Sequence, residues 1–315
     1  MWYDKQKLDW NIMPDDWMIR RLMLPEGQLD MVLDTDTYNE VDDQFALAYS
    51  LLSPERLNIE AIYAAPFYNK NSSGAEDGME KSYDEILRML SKMNRSPDGF
   101  VFKGSREYMR DDRTPVDSPA ARDLVARAIA RGDDDPPLYV AAIGAITNIA
   151  SALLIEPALT QKIVVVWLGG QPTSFPFAKE FNLSQDVFAA NTVLDSGVPF
   201  VYIPCLGVAS HTLSTVPELK EAIGGKNPLC DALIELFAAY ESDHFGWAKE
   251  IWDVAVIGYL INPEWVPTKL VHSPMLTDDS HWAHDERRHL IREAYFCRRN
   301  PIFRDMFRKL ANFDA

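Results

Sequence analysis

Strand-length apolar runs alternate with helix-length amphipathic segments along most of this chain, and no other feature restricts its fold as tightly. Leu29–Leu33, Leu57–Ala64, Gly99–Phe102, Leu138–Ala142, Ile163–Leu168 and Phe200–Ile203 read as strands. Phe45–Leu52, Asp77–Met93, Ser118–Arg131, Thr147–Leu154 and Val187–Ser196 read as the helices between them. After Ser210 the pattern turns helical, at Pro217–Ile223, Pro228–Asp243 and Trp252–Leu260. Late strands are expected at Lys269–Val271 and Leu290–Ala294, and a last helix at Ile302–Leu310. The alternation predicts βαβ units in an α/β fold, with a mainly parallel, Rossmann-like sheet flanked by helices.

Composition narrows the class. With 315 residues, 47% of them hydrophobic and 25% charged, the chain has material for a large core. No Pro/Gly/Ser-rich linker divides it, so one domain is expected. The net charge of −16 argues against nucleic acid or an anionic membrane as partner, since both call for basic patches. Uncharged small molecules such as nucleosides stay open. Cys205, Cys230 and Cys297 are sparse, odd in number and form no Cys-x-x-Cys, which fits a reducing compartment. Neither a signal peptide nor a transmembrane run is evident, and cytoplasm is the expected location. Residues 1–28 precede the first strand; Trp2, Tyr3, Trp10 and Trp17 make an arm packed on the body or on another subunit the expectation.

The densest chemistry lies at 30–47. The apolar run Met31–Leu33 gives way to five acids within ten residues: Asp34, Asp36, Glu40, Asp42 and Asp43. Phe45-Ala46-Leu47 then starts a helix. Crowded carboxylates repel, and burial makes each charge costlier. A divalent cation relieves both, and an all-oxygen donor set suits Ca²⁺ or Mg²⁺. Negative charge is also favoured at a helix N-terminus, so a solvated acidic loop is the plainer alternative. A third reading is a phosphatase, because strand-Asp-x-Asp also opens the haloacid dehalogenase motif. That reading lacks its downstream Lys and Asp-Asp.

Three further segments place polar residues at strand ends or helix starts. Ala142–Ala150 contains Thr147-Asn148-Ile149-Ala150; Glu180-Phe181-Asn182 follows Trp167-Leu168-Gly169-Gly170; Trp252-Asp253 precedes Val254–Ile257. Together with the acidic loop, in this order, they resemble the inosine-uridine-preferring nucleoside hydrolase family. The resemblance runs from about Leu29 to at least Tyr259, over two-thirds of the chain. It implies residues 29–315 as a nucleoside hydrolase-like domain and Ca²⁺-dependent hydrolysis of the N-glycosidic bond of ribonucleosides. It also implies a homodimer or homotetramer.

Residue by residue, the resemblance makes Asp36 the general base and a Ca²⁺ contact. Asp43 and Asp253 become carboxylate ligands, and the Thr147 carbonyl a further one. Asp42 binds a ribose hydroxyl, Glu180 and Asn182 grip the ribose 5′ and 3′ hydroxyls, and Asp34 is a buried supporting acid. The chemistry is coherent. N-glycoside hydrolysis passes through an oxocarbenium-like sugar, which needs a positioned, deprotonated water and nearby negative charge.

Three departures stand out. Five residues, Thr37–Val41, separate Asp36 from Asp42 where the family has three. No His-Gly-x-Asp-Gly loop occurs in Arg106–Pro119. The late His-Asp pair is Trp252-Asp253, so no histidine there can protonate the leaving base. Purine-preferring members carry Trp at this position and stack the base, so Trp252 implies a purine preference, with Tyr68, Phe67 or Tyr108 as the opposing ring. A non-catalytic ribose- or nucleoside-binding protein on the same fold, or a hydrolase of another ribosyl substrate, is the alternative. Retention of Asp36 separates them, because a pure binder has no use for a base.

Overall fold

A computed structural model describes residues 10–111 and 113–314. Trp2 and Tyr3 of the expected arm lie outside the described residues. The sheet begins with β1 (Leu29–Thr35), β2 (Leu57–Ala64), β3 (Val101–Lys103), β4 (Leu138–Ala142), β5 (Ile163–Leu168) and β6 (Phe200–Ile203). A two-residue ladder follows, β7 (Leu213–Ser214) with β8 (Lys249–Glu250). β9 (Thr268–His272) comes next, then the small pair β10 (Met275–Leu276) and β11 (Trp282–Ala283), and last β12 (Leu290–Ala294).

Eight strands join in the order β3-β2-β1-β4-β5-β6-β12-β9. All neighbours are parallel except β12 and β9. The chain winds outward from β1 to β3, then returns to the other side of β1 with β4. Between β1 and β4 the winding reverses, which is where open α/β sheets form a crevice beyond their carboxyl ends.

Helices cover both faces. They are α1 (Asp15–Arg21), α2 (Asp42–Leu51), α3 (Ala75–Lys92), α4 (Pro119–Ile129), α5 (Thr147–Ile155), α6 (Leu159–Lys162), α7 (Phe181–Gln185), α8 (Val187–Ser196), α9 (Val216–Ile223), α10 (Pro228–Ala239), α11 (Val254–Ile261) and α12 (Arg299–Ala311). Alternation along β1 feeds two cores. Met31 and Leu33 pack with Phe45 of α2, Phe237 of α10 and Val256 of α11. Val32 packs with Leu124 of α4, Ile149 of α5 and Ala189 of α8. Because both faces are covered, β4, β5 and β6 are buried at every position, which is why their sequences are continuously apolar.

Several boundaries differ from the sequence pattern. β1 runs two residues further, so Asp34 is a strand residue. Its backbone still pairs: Ile143 N donates to Asp34 O at 2.8 Å and Ala65 N to Thr35 O at 2.8 Å. α2 starts at Asp42 rather than Phe45, which puts Asp42 and Asp43 in its first turn. Within the expected arm, residues 15–21 form α1, and Arg292 Nε of β12 donates to Leu22 O at 2.9 Å. Among the described residues no helix is long and apolar enough to cross a membrane.

Candidate active site

The crevice is lined by acids that the fold buries. Asp34 is fully buried, Asp36 and Asp43 are 1% exposed, Asp253 2% and Asp42 5%. Asp34 and Asp36 come from the end of β1, Asp42 and Asp43 from the first turn of α2, and Asp253 from the residue before α11. Carboxylate oxygens of Asp42, Asp43 and Asp253, one from each, lie within 4.8 Å of one another. Asp36 stands beside this trio, and both of its carboxylate oxygens are buried without a hydrogen-bond partner. A Cβ on Gly144, in the loop after β4, would come 3.1 Å from Asp36 Cγ, so that loop approaches Asp36 closely only because residue 144 is glycine.

Electrostatics follow from this packing. Burial, and then the charges of Asp43, Asp42, Glu40 and Asp34, push the Asp36 carboxyl well above its ordinary value. Burial and Asp42 do the same to Asp43, against a hydrogen bond from Thr35 Oγ1. Burial, Asp42 and Asp43 raise Asp253. Burial and Glu40 raise Asp42 to about 7, partly offset by Lys249. Burial raises Asp34 to about 7, opposed by Asn148 Nδ2, which donates to its Oδ1 at 2.7 Å. Such a cluster is unstable as four or five anions in a dry site and suits a bound cation.

The supporting residues are more fully hydrogen-bonded. Asn148 Oδ1 accepts from the Ser105 amide and hydroxyl, both at 2.8 Å, which orients its amide toward Asp34. Thr147 Oγ1 donates to Asp186 Oδ2 at 2.7 Å, so the Thr147 hydroxyl is occupied. Asp186 also accepts from Met109 N at 2.8 Å and caps α8 at Ala189 N, 2.9 Å away. The sequence reading passed over Asp186, although an Asp just before an apolar helix is an N-cap signal.

Glu180 and Asn182 sit beyond β4 and β5, held tightly. The half-buried Glu180 carboxylate accepts from Gly170 N (2.6 Å), Asn182 N (3.0 Å) and Leu183 N (3.1 Å), capping α7. Asn182 Nδ2 donates to Leu168 O at 3.0 Å and Ile143 O at 3.3 Å, bridging the ends of two strands.

The aromatic residues sort differently from the sequence expectation. Phe67 is fully buried, so it belongs to the packed interior and cannot stack on an incoming base. Tyr68 is 57% exposed, and its backbone N–H donates to Gln185 Oε1 at 2.7 Å. The Tyr108 hydroxyl donates to the same oxygen. Tyr68 and Tyr108 line a cavity of about 690 Å³ together with Arg106 and the start of α3. Burial, then the nearby Asp36 charge, raise the Tyr108 hydroxyl's pKa. Trp252, half-buried, packs against the core on one side and adjoins Asp253.

This doubly wound sheet, with a carboxylate crevice at its switch point, has close counterparts. The chain belongs to the inosine-uridine preferring nucleoside hydrolase family, whose model matches residues 31–291. It is accordingly a nucleoside hydrolase, acting on N-glycosyl compounds. The pyrimidine-specific ribonucleoside hydrolase RihA of Klebsiella pneumoniae (strain 342) is 31% identical over 269 residues, covering 75% of this chain and 80% of that one. RihA of Enterobacter sp. (strain 638) is 29% identical over 266 residues, with the same coverage of 75% and 80%. The fold is shared with the purine-preferring ribonucleoside hydrolase from Gardnerella vaginalis, at a TM-score of 0.68 and 20% identity over 90% of this chain and 98% of that one. The plant nucleoside hydrolase PpNRh1 gives a TM-score of 0.68 and 19% identity over 91% and 100%.

Proposed function

We propose that the chain hydrolyses ribonucleosides to free base and ribose with a Ca²⁺ ion in the acid crevice, and that purine nucleosides are favoured. The observation that carries this reading is Asp36: a buried carboxylate with two unpartnered oxygens beside the trio Asp42, Asp43 and Asp253. The donor set is all oxygen, which fits Ca²⁺. In this reading Asp36, Asp43, Asp253 and the Thr147 carbonyl hold the ion. The Thr147 hydroxyl donates to Asp186 Oδ2 alongside that role. When bound, a divalent cation lowers the pKa of a water and orients vicinal hydroxyls.

The chain's own groups do the rest. Asp36 takes the proton from the water that attacks the anomeric carbon. Asp42 accepts from a ribose hydroxyl, and Glu180 and Asn182 hold the far side of the sugar. Asp34, tied to Asn148, adds negative charge behind Asp36 as the sugar becomes cationic. Trp252 offers a ring next to Asp253, and stacking on a base is worth about 1–3 kcal/mol. A purine gains more from that than a pyrimidine, and its N7 accepts a proton from solvent. The RihA relatives are named pyrimidine-specific and set the opposing expectation.

Base release from inosine, adenosine, guanosine, uridine and cytidine, with and without chelator, tests all of this. Purine release that stops with chelator and returns with Ca²⁺ is the expected result. Full turnover in chelator overturns the cation; faster uridine release overturns the purine preference.

A further inference from the structure

The acidic loop is longer than the family pattern by two residues, and the structure shows where the extra length goes. Asn39 is buried and fastened on one side: Asn69 Nδ2 donates to its Oδ1 at 2.6 Å, and Asn71 Nδ2 to its carbonyl at 3.0 Å. Glu40 is fastened on the other side, to residues some two hundred positions away. Its Oε2 pairs with Lys249 Nζ of β8, and Tyr240 Oη lies 3.5 Å from its Oε1. The Lys249 side chain is only 7% exposed, and its ammonium also lies 4.3 Å from the centre of the Tyr240 ring. It is the one cation in contact with this acidic region among the described ion pairs.

Glu40 is thus a sixth carboxylate beside the crevice, two residues from Asp42. Its charge is the strongest of those that raise Asp42. Nothing in the cation reading gives it work to do, and a free carboxylate on a loop this near four acids is drawn to any cation they bind. We propose that Lys249 is a positioning residue: by pairing with Glu40 it holds the lengthened loop off the cation site, and so keeps that site open to the sugar. The proposal rests on the cation reading given above. It accounts for a buried lysine facing the acid crevice and for the anchoring of the loop on both flanks.

The pair makes a distinctive pattern in variants, because removing one member of a buried ion pair is costly while removing both is often nearly neutral. Ca²⁺ alone is titrated calorimetrically into the chelator-stripped full chain and into its E40Q, K249M and E40Q/K249M variants. Inosine kcat and KM are then measured at saturating Ca²⁺. In E40Q the Lys249 charge is left to Asp42, and Ca²⁺ binding is expected to weaken about tenfold, in the range of couplings between neighbouring charges. In K249M the freed Glu40 turns to the ion: Ca²⁺ binds more tightly while KM for inosine rises. In the double variant Glu40 is gone, so KM for inosine returns to within about threefold of the parent rather than rising as in K249M. A lysine with a purely structural role gives additive losses and no such return.

Additive effects on KM in the double variant, or E40Q with unchanged Ca²⁺ affinity, overturn the proposal. E40Q decides even where K249M fails to fold, because the Glu40 side chain is 32% exposed and the change keeps its shape. A parent chain that binds no Ca²⁺ overturns the cation reading itself, which is a different result from a parent that binds with additive variants.

Discussion

The acid side of the crevice hangs from β1, α2 and α11, and each of its carboxylates is at most 5% exposed. The candidate base-stacking rings come from loops: Tyr68 is 57% exposed, and Tyr108 and Trp252 are half-buried. On the acid side, buried oxygens of Asp34 and Asp36 lack partners. On the aromatic side, Tyr68 and Tyr108 are drawn together by a single side chain, Gln185. Charge that must be held against its own repulsion needs the rigidity of the sheet. Rings that greet a base need only be near, and loops suffice. Chemistry and selectivity are therefore expected to separate by wall.

Asp36→Asn puts the largest strain on that separation. It removes the base while keeping the shape, and turnover should fall by about 10²–10⁴-fold for every nucleoside, with the fold intact. Steady-state rates on inosine and uridine check it; a loss confined to one base would tie Asp36 to base selectivity. Trp252→Ala should do the converse. Its cost in kcat/KM is about 1–3 kcal/mol for inosine and clearly less for uridine. Equal losses on both would make Trp252 a packing residue.

The acid wall alone should govern stability against pH. In the unfolded chain these aspartates release their protons near the ordinary value of 3.8; in the folded chain Asp34 and Asp42 hold theirs to about 7. Asp36, Asp43 and Asp253 are also shifted upward. Between those limits the folded state binds more protons, so this contribution to stability falls as pH rises. The chelator-stripped chain should accordingly melt at lower temperature at pH 8 than at pH 5.5. Ca²⁺ should raise the melting temperature more at pH 8, where the carboxylates are free to bind it. Scanning calorimetry at both pH values decides, and a stripped chain that is more stable at pH 8 contradicts the buried cluster. The smallest effect is expected on the aromatic side: Tyr108→Phe loses one hydrogen bond to Gln185, worth about 0.5–1.5 kcal/mol in denaturant unfolding. A fall in turnover rivalling that of Asp36→Asn would instead bring Tyr108, whose hydroxyl feels the Asp36 charge, into the chemistry.

Much of the scaffold was legible in the sequence because burial on both faces writes itself as unbroken apolar runs. Leu138–Ala142, Ile163–Leu168 and Phe200–Ile203 are strands over the lengths those runs indicate, and the more polar Leu57–Ala64 and Leu290–Ala294, nearer the sheet's edges, also match in length. Short elements were not. α1 buries only Met18, and α7 is five residues held by the Glu180 side chain, so neither has a period to detect. At the site, the acids were conspicuous because they are consecutive or nearly so. Lys249 was not, since a lone lysine carries no mark of an acid 209 residues earlier in the chain. Phe67 and Tyr68 were indistinguishable for a related reason: they are adjacent in sequence, yet Phe67 is fully buried and Tyr68 is 57% exposed. Adjacent aromatics cannot be assigned to pocket or interior until their direction is known.

The acid trio draws two members from the start of α2 and the third, Asp253, from just before α11. A ribosome that has finished β6 has laid down six parallel strands and still lacks a complete site. Until residues 249–253 dock, Asp42 and Asp43 face each other without Asp253, and Glu40 without Lys249. Assembly of the acid crevice thus waits on contacts that span about two hundred residues, and a chain truncated after β6, however well those strands have paired, lacks both Asp253 and Lys249.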